Sequence, residues 1–222
     1  MVIPRVLEPE VMDSPAEAAE YDRMDHTAVN RTFAADFLAV WFDRTGTVLD
    51  VGTGTAQIPV ELCRQATGFG VRAVDAAAEM LKLATVNIAA AGLADRIAAE
   101  LVDAKRLPHD AGHFAAVVSN SIVHHIPDPA PAFAEMVRVC RPGGALFVRD
   151  LLRPETEAEL SRLVDLHAAG ATPDQRQLFR QSLHAALTVD EVRALVGRLG
   201  FDPDTVAQTS DRHWTWSARK PA

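Results

Sequence analysis

The residues best suited to chemistry lie around a glycine turn early in the chain. The apolar run Val48–Val51 suits a buried strand and carries Asp50 near its carboxyl end. The turn that follows contains Gly52, Thr53 and Gly54. Glycine permits a sharp bend and close approach of a ligand to the backbone, and unpaired N–H groups at the start of the next helix favour a polar or anionic group. Because open parallel sheets bind ligands at this end of their strands, the stretch predicts a nucleotide-like ligand.

The details of the turn distinguish between two kinds of nucleotide. The fingerprint of dinucleotide-binding proteins is G-x-G-x-x-G, in which the third glycine lets helix and strand pack closely. Gln57 occupies that position here, and Asp50 precedes the glycines. The pattern D-x-G-x-G resembles the first motif of class I S-adenosylmethionine-dependent methyltransferases, although the third glycine often found in that motif is Thr55 in this chain. A nicotinamide-dependent oxidoreductase is therefore the less favoured interpretation.

Further acidic and polar residues end the later predicted strands. Asp75 lies 25 residues beyond Asp50, where its carboxylate can accept hydrogen bonds from both ribose hydroxyls of an adenosine. Met80 is placed to cover an adenine face, and Asp103 is placed to accept from the adenine amino group. Asn120 ends the fourth strand, where the resemblance implies the methionine end of the cofactor. The predicted cofactor-binding residues are Asp50, Gly52, Thr53, Gly54, Asp75, Ala76, Met80, Asp103, Ala104, Asn120 and Ser121.

The order of these elements indicates the fold. The resemblance covers roughly residues 46–152 and implies a three-layer, Rossmann-like α/β methyltransferase fold. Its sheet is expected to be mainly parallel and seven-stranded, with an antiparallel terminal hairpin and a small helical cap. We expect one methyltransferase domain over residues 1–222, since a chain of this length can bury a full α/β core. Its parts are the cap helices at 14–43, the cofactor-binding core at 46–152, a helical insertion at 155–187, and a closing helix and hairpin at 188–220.

A pair of histidines, His124 and His125, follows the fourth strand and precedes Pro127. This stretch resembles the corresponding part of small-molecule methyltransferases, including the quinone-biosynthesis methylases. The resemblance makes His124 a candidate catalytic base and His125 a candidate contact to the methyl acceptor. The alternative is that both histidines are structural and bond to loop carbonyl groups.

Other candidates for the acceptor side lie before and after this core. N-terminal helices of the resembled family cover the cofactor and substrate pocket, which makes Tyr21 a second candidate catalytic residue and His26 a candidate substrate contact. Arg149, at the end of the fifth strand, is placed to hold an anionic group of the acceptor. The alternatives are an ordinary surface helix around Tyr21, and a structural cluster of Arg149 with Asp150 and Arg153.

Composition limits the partners that we expect. The formal net charge of −8 disfavours a broad nucleic-acid-binding surface. Cys63 and Cys140 fall on apolar faces of predicted helices and are expected to be reduced core residues. No metal site is predicted, because His109 and His113, expected to face solvent, have no carboxylate or cysteine at ligand spacing. With no apolar run of about 18 residues and no N-terminal signal pattern, a cytoplasmic protein without membrane insertion is expected.

Together these observations predict methyl transfer from S-adenosylmethionine to a small-molecule acceptor. Transfer to RNA or to a protein is an alternative, as is a non-catalytic module that binds the cofactor or a partner. The sequence does not specify the acceptor atom, the need for a general base or the oligomeric state.

Overall fold

The computed structural model describes residues 2–11 and 13–222. Within them, helices and strands follow the order that the sequence predicts. The helices are α1 (Pro15–Arg23), α2 (Thr27–Val40), α3 (Gln57–Gln65), α4 (Ala78–Ala90), α5 (Ala130–Val139), α6 (Glu157–His167), α7 (Pro173–Ala185) and α8 (Val189–Arg198). The strands are β1 (Gly46–Val51), β2 (Phe69–Asp75), β3 (Ile97–Leu101), β4 (Phe114–Asn120), β5 (Cys140–Leu151), β6 (Val206–Gln208) and β7 (His213–Arg219). Short 3₁₀ turns lie at Val123–His125 and Pro203–Thr205.

The seven strands of the described residues form one sheet in the order β3-β2-β1-β4-β5-β7-β6. β1 pairs in parallel with both β2 and β4, and β2 pairs in parallel with β3. The last two strands, β6 and β7, pair antiparallel. The prediction of a seven-stranded, mainly parallel sheet with an antiparallel terminal hairpin is therefore confirmed.

Burial and register explain how the central strands position polar residues. Six consecutive residues of β4 are buried, as expected for a strand that helices cover on both faces. The parallel register places Asp50 of β1 beside Ala73 of β2 and Val118 of β4. Asp75 is the last residue of β2, so the two carboxylates share the carboxyl edge of the sheet.

The chain divides into two compact units. The larger unit comprises residues 11–120, 130–148 and 217–222. The smaller unit comprises the N-terminal residues up to 10, together with 121–129 and 149–216. In the larger unit, Phe33 and Phe37 of α2 both contact Phe147 of β5, with ring centroids 5.2 and 5.9 Å apart. The predicted apolar stripe of α2 therefore faces the core.

In the smaller unit, α6 and α7 pack against the end of β5. Leu160 of α6, Leu183 of α7 and Leu151 of β5 belong to one buried cluster, and Ile3 packs against it. The backbone N–H of Ile3 also donates to the carbonyl oxygen of Glu155 at 3.2 Å. The sequence leaves this N-terminal segment as an arm or a loosely packed stretch, whereas the structure shows it attached to the smaller unit.

The junction between α5 and β5 differs from the prediction. The sequence predicts a helix up to Arg141 and a glycine turn before the fifth strand, but α5 ends at Val139 and β5 begins at Cys140. A Cβ atom on Gly144 would lie 2.7 Å from Cys140 Sγ and 2.9 Å from the carbonyl oxygen of Ala115. The glycine therefore permits close packing of extended backbone, and Cys140 is a buried strand residue instead of a helical one.

Three further findings concern the cysteines, His109 and the membrane. Both Cys63 and Cys140 are buried free thiols, as predicted. The prediction that His109 faces solvent is wrong: its side chain is 13% exposed and its Nε2 lies 3.3 Å from Glu100 Oε2. No helix within residues 2–11 and 13–222 has the length and apolar character to cross a membrane.

Candidate functional site

The glycine turn after β1 adopts the backbone conformation that the sequence predicts. Gly52 and Gly54 have φ angles of 75° and 55°, in the left-handed region that glycine enters without a Cβ penalty. The backbone N–H groups of Gly52 and Thr53 both donate to the carbonyl oxygen of Val74, at 2.8 and 3.0 Å. The turn is therefore fixed to the end of β2, next to Asp75.

Asp75 accepts hydrogen bonds from the backbone of the glycine turn and from that of the loop after β2. Its Oδ2 accepts from the Gly54 N–H at 2.7 Å, and its Oδ1 accepts from the Ala77 N–H at 2.9 Å. Burial raises the pKa of Asp75 above its usual value, and these backbone hydrogen bonds offset part of the rise. The backbone N–H of Ala76 also bonds to Asp75. Because a carboxylate has about four acceptor positions, Asp75 keeps capacity for a ribose hydroxyl.

Three buried polar atoms around the turn lack hydrogen-bond partners among the described residues. They are Asp50 Oδ2, Thr53 Oγ1 and Thr55 Oγ1. Burial raises the pKa of Asp50 to about 7; the Thr53 hydroxyl offsets part of the rise and the charge of Asp75 adds to it. Because buried polar groups in folded proteins are almost always paired, this arrangement fits a polar ligand. The residues present therefore fit the predicted cofactor.

Tyr21 of α1 lies against the same turn. Its Cε1 is 3.6 Å from where a Cβ on Gly54 would stand, and its ring stacks at a tilt on His26 with centroids 4.9 Å apart. Tyr21 also packs against Ala77 and Met80 in a small buried cluster. Burial raises the pKa of Tyr21 to about 12, with the charges of Asp75 and Asp50 adding to the rise. The structure thus brings Tyr21 and His26, two of the candidates for the acceptor side, together beside the glycine turn.

Gln57, which stands where a dinucleotide fold has its third glycine, has a structural task. Its side-chain Nε2 donates to Asp22 Oδ1 at 3.3 Å, and its Oε1 accepts from Asn30 Nδ2 at 3.2 Å. Asp22 also accepts from Asn87 Nδ2 at 2.8 Å. These residues, with Met24, line a cleft of about 400 Å³ beside α3 and α4. The departure from the dinucleotide pattern therefore serves to hold α1 and α2 on α3.

The other predicted cofactor residues of the larger unit lie nearer the surface. Asp103, in the loop after β3, has a side chain 51% exposed and lies 3.2 Å from Lys105 Nζ. It also accepts from the Lys105 backbone N–H at 2.9 Å, and Ala104 stands between the two residues. Asn120 is the last residue of β4 and is half-buried. Their roles in binding the adenine and methionine parts of a cofactor stay predictions.

His124, in the smaller unit, is buried and held by Asp150 of β5. Its Nδ1 lies 2.5 Å from Asp150 Oδ1, while Asp150 Oδ2 accepts the backbone N–H groups of Val123 at 2.5 Å and His124 at 3.3 Å. Burial lowers the pKa of His124, but the charges of Asp150 and Glu8 outweigh it, so that the net shift is upward. Asp150 therefore holds both the 3₁₀ turn and the orientation of the imidazole.

Glu8 completes this cluster from the N-terminal segment. Its Oε1 lies 3.4 Å from His124 Nε2 and 3.2 Å from His125 Nδ1, and its Oε2 accepts from Ser182 Oγ at 3.2 Å. Burial raises the pKa of Glu8. Burial, together with the charge of His124, lowers the pKa of His125 to about 4. The smaller unit thus gathers two imidazoles and two carboxylates within hydrogen-bonding or near-contact distance.

Arg5 fixes the segment that carries the two histidines. Its Nη2 donates to the carbonyl oxygens of His124 at 3.1 Å and Ile126 at 2.9 Å, and its Nη1 donates to that of Pro127 at 3.0 Å. Its Nε donates to the carbonyl oxygen of Ala185 at 2.6 Å. A single guanidinium, whose five donors form a planar fork, therefore ties the histidine turn to the end of α7.

Arg149 and Arg153 both bond to other residues of the smaller unit. Arg149 Nε donates to Thr215 Oγ1 at 2.9 Å. Arg153 is buried and bonds to Glu191 Oε1 at 2.6 Å. Asp150 bonds to His124 and backbone N–H groups, so the alternative of an Arg149–Asp150–Arg153 cluster does not describe its main partners. Ser121, predicted to bind the cofactor, has a φ of 57°, and its N–H donates to the carbonyl oxygen of Arg149 at 3.0 Å.

Sequence reasoning missed Arg5, Glu8 and the pairing of Asp150 with His124. Arg5 and Glu8 stand in a segment without periodicity and far from the histidines in sequence. The signal that could have been used is composition, because an arginine and a glutamate that become buried in a largely apolar, proline-containing segment need partners. Their partners, however, follow only from the fold.

Comparisons with known proteins agree with the geometry of the glycine turn. Residues 48–144 match the family model described as a methyltransferase domain. Methyltransferase GfsG of Streptomyces halstedii is 30% identical over 151 residues, which cover 65% of this chain and 48% of that protein. The ubiquinone/menaquinone biosynthesis C-methyltransferase UbiE of Geobacter sulfurreducens is 26% identical over 166 residues, covering 70% of this chain and 64% of that protein. The chain thus spans about half to two thirds of the length of these relatives.

Solved structures show the same fold. A candidate S-adenosyl-L-methionine-dependent methyltransferase from Methanococcus maripaludis superposes with a TM-score of 0.75 at 21% identity, covering 98% of each chain. Residues 48–144 therefore match a methyltransferase domain, and the predicted resemblance to S-adenosylmethionine-dependent methyltransferases is confirmed. The predicted cofactor, S-adenosylmethionine, agrees with this match. The domain match also decides against the nicotinamide-dependent alternative.

Proposed function

We propose that this protein transfers a methyl group from S-adenosylmethionine to a small-molecule acceptor. The observation that carries the proposal is the set of three buried, unpartnered polar atoms beside the Asp75 carboxylate. Its members are Asp50 Oδ2, Thr53 Oγ1 and Thr55 Oγ1 within the described residues. The names of the relatives support the reaction, since GfsG is a methyltransferase and UbiE a C-methyltransferase of quinone biosynthesis.

The cofactor supplies an electrophilic methyl group bonded to a sulfonium sulfur. In our proposal, Asp75 accepts a hydrogen bond from a ribose hydroxyl, while the glycine turn permits close approach of the backbone. Asp50, Thr53 and Thr55 provide the polar groups that the bound molecule would satisfy. Tyr21 and Met80 provide apolar surface next to the turn, which excludes water from the charged carboxylates.

The chemistry of the acceptor decides whether a general base is needed. An electron-rich carbon or an ionised oxygen attacks the methyl group directly, whereas a neutral hydroxyl must lose a proton. His124 and Tyr21 stay the predicted catalytic residues, and His26, His125 and Arg149 stay the predicted acceptor contacts. Tyr21, whose pKa is raised to about 12 by burial, is neutral at physiological pH and can act as a hydrogen-bond donor.

Calorimetry with S-adenosylhomocysteine tests the cofactor site directly. Asp75→Ala should weaken binding by about 1.5 to 3 kcal/mol, because a charged acceptor of a ribose hydroxyl is lost. Asp190→Ala is the matched control, since the Asp190 side chain is 94% exposed and its removal should leave affinity unchanged. Thermal melting of both variants separates weaker binding from loss of structure. Unchanged affinity in folded Asp75→Ala would remove this carboxylate from the cofactor site.

Incorporation of a labelled methyl group tests the acceptor class. Panels of phenols, quinols, bulk RNA and unrelated proteins should show transfer to members of the small-molecule panel alone. Transfer to RNA or protein would refute the small-molecule proposal while leaving the reaction intact. Tight binding of S-adenosylhomocysteine without transfer to any panel member would instead support the non-catalytic alternative.

A further inference from the structure

The cluster of Glu8, His124 and His125 brings three potential metal-ligand atoms close together. One ligand atom from each of the three residues lies within 4.8 Å of the other two. The side chains of His124 and Glu8 are 4% and 8% exposed, and that of His125 is 20% exposed. Glu8 Oε1 nevertheless has no hydrogen-bond partner among the described residues, although an unpaired buried carboxylate oxygen is costly.

The number of hydrogens that this cluster can hold explains why Glu8 Oε1 has no hydrogen-bond partner among the described residues. A neutral imidazole carries one N–H, and His124 directs Nδ1 at Asp150 Oδ1, 2.5 Å away. In this neutral form its Nε2 presents a lone pair towards Glu8 Oε1, and the two lone pairs repel unless a cation, either a proton or a metal ion, lies between them. The separation of 3.4 Å is longer than that of a direct N–H···O hydrogen bond. His125 Nδ1 is hydrogen-bonded to the Pro9 carbonyl oxygen at 3.3 Å and also lies 3.2 Å from Glu8 Oε1, so a hydrogen on Nδ1 is shared between two acceptors and satisfies Glu8 Oε1 only weakly.

Two of the three spacings in this cluster, those to Glu8 Oε1, are typical of ligands around one metal ion. With metal–ligand bonds of about 2.1 Å, two ligand atoms lie ~3.0 Å apart at a right angle and ~3.4 Å apart at a tetrahedral angle. Glu8 Oε1 lies 3.4 Å from His124 Nε2 and 3.2 Å from His125 Nδ1, within that range. Other histidine–carboxylate pairs of the smaller unit are closer, at 2.8 Å for His167–Asp211. Such a distance is typical of a direct hydrogen bond.

Asp150 supplies the support that metal-binding histidines usually have. A ligating histidine generally donates its second ring N–H to a carboxylate or carbonyl, which fixes the tautomer and leaves the other nitrogen free for the metal. The contact between His124 Nδ1 and Asp150 Oδ1 has this arrangement. The fork of Arg5 to the carbonyl oxygens of His124 and Ile126 holds the turn itself, so the donor set is organised in advance.

From this geometry we propose that Glu8, His124 and His125 form a binding site for a divalent first-row transition-metal ion, with Zn²⁺ the best match. Two imidazole nitrogens disfavour Mg²⁺ and Ca²⁺, which take oxygen ligands, and suit Zn²⁺ and its neighbours. Three protein ligands leave at least one coordination position for water or for an anionic oxygen ligand. Asp150 is a positioning residue for His124. The site goes beyond the proposed methyl transfer and does not rest on it. A metal ion on Nε2 occupies the lone pair that a base needs, so the role of catalytic base for His124 applies only to the metal-free protein.

Metal titration of the tag-free full chain, after removal of metals with a chelator, tests the site. Zn²⁺ monitored by calorimetry and Co²⁺ monitored by visible absorption should each saturate at one ion per chain. Glu8→Gln and His125→Gln should weaken binding by about 100-fold or more, and Asp150→Asn by about 10- to 100-fold. His109→Gln is the matched control, because His109 forms a histidine–carboxylate pair with Glu100 at 3.3 Å without a third ligand. Its affinity should equal that of the wild type.

The wild type alone can decide the question if a variant fails to fold. X-ray absorption at the zinc edge should show two imidazole ligands. The proposal is overturned if the wild type takes up no stoichiometric ion, if the spectrum contains no imidazole, or if folded Glu8→Gln and His125→Gln bind as tightly as the wild type. In each of these cases the cation between His124 and Glu8 is a proton. Because no cofactor or acceptor is present in this experiment, its failure is distinguishable from failure of the proposed methyl transfer.

Discussion

Replacing Asp50 by asparagine should remove a pH-dependent loss of stability from the folded protein. Burial raises the pKa of Asp50 from 3.8 to about 7, so the folded state binds its proton more tightly than the unfolded state. The stability that protonation of Asp50 contributes is therefore fully present below the pKa of the unfolded state. It is lost progressively as the pH rises through the pKa of the folded state. Above that pH both states are ionised, and the folded state carries the full cost of a buried charge.

The rise in the pKa of Asp50 from 3.8 to about 7 corresponds to ~4 kcal/mol of free energy of unfolding in full. A part of this is already lost at about pH 5, which leaves roughly 2 to 3 kcal/mol to be lost between about pH 5 and about pH 8. Asparagine has nearly the same shape and does not titrate in this range. Relative to the wild type, Asp50→Asn should therefore gain about 2 to 3 kcal/mol in free energy of unfolding over this interval.

Urea unfolding of both proteins at several pH values measures this difference. The measurement is made without cofactor, because a ligand bound to the turn would change the protonation of Asp50. Asp190→Asn is the control, and its stability should follow the wild type at every pH because its side chain is 94% exposed. Parallel stability curves for the wild type and Asp50→Asn would refute the reasoning, since they would mean that the buried carboxyl does not titrate between about pH 5 and about pH 8.

Two further predictions concern the backbone of the turn and the attachment of the N-terminal segment. Gly54→Ala should cost about 1 to 2 kcal/mol of stability, because the φ of Gly54, 55°, lies in the left-handed region. The Tyr21 side chain, 3.6 Å from the added Cβ, leaves room for the methyl group. Thermal melting measures the loss, and an unchanged melting temperature would contradict it. Arg5→Ala should destabilise the protein by about 2 kcal/mol, because four carbonyl oxygens lose a charged donor. Hydrogen exchange should then accelerate around His125 and Ile126, whose N–H groups bond within the 3₁₀ turn, and unchanged protection there would show that Arg5 does not hold the turn.

The sequence by itself determines the glycine turn and the edge of the sheet on which it lies. The positions of Asp50, Gly52 and Gly54 follow from an apolar strand, a turn that needs positive φ, and the start of a helix, all within one short stretch. Asp75 joins them because parallel strands share a carboxyl edge, and the register of β1 and β2 bears this out. Helix starts are similarly local: Ser14, Thr172 and Thr188 each cap the predicted helix through a side chain–backbone bond.

Only the tertiary structure decides which distant side chains meet. Glu8 contacts His124 and His125 because Arg5 and Ile3 attach the N-terminal segment to the smaller unit, and no periodicity in the sequence encodes that attachment. The start of β5 at Cys140 likewise depends on the approach of Ala115 to Gly144. Hydrogen-bond periodicity and φ preferences act over a few residues, so a sequence displays them directly. Which buried charged groups pair with each other depends on which side chains the completed fold buries together.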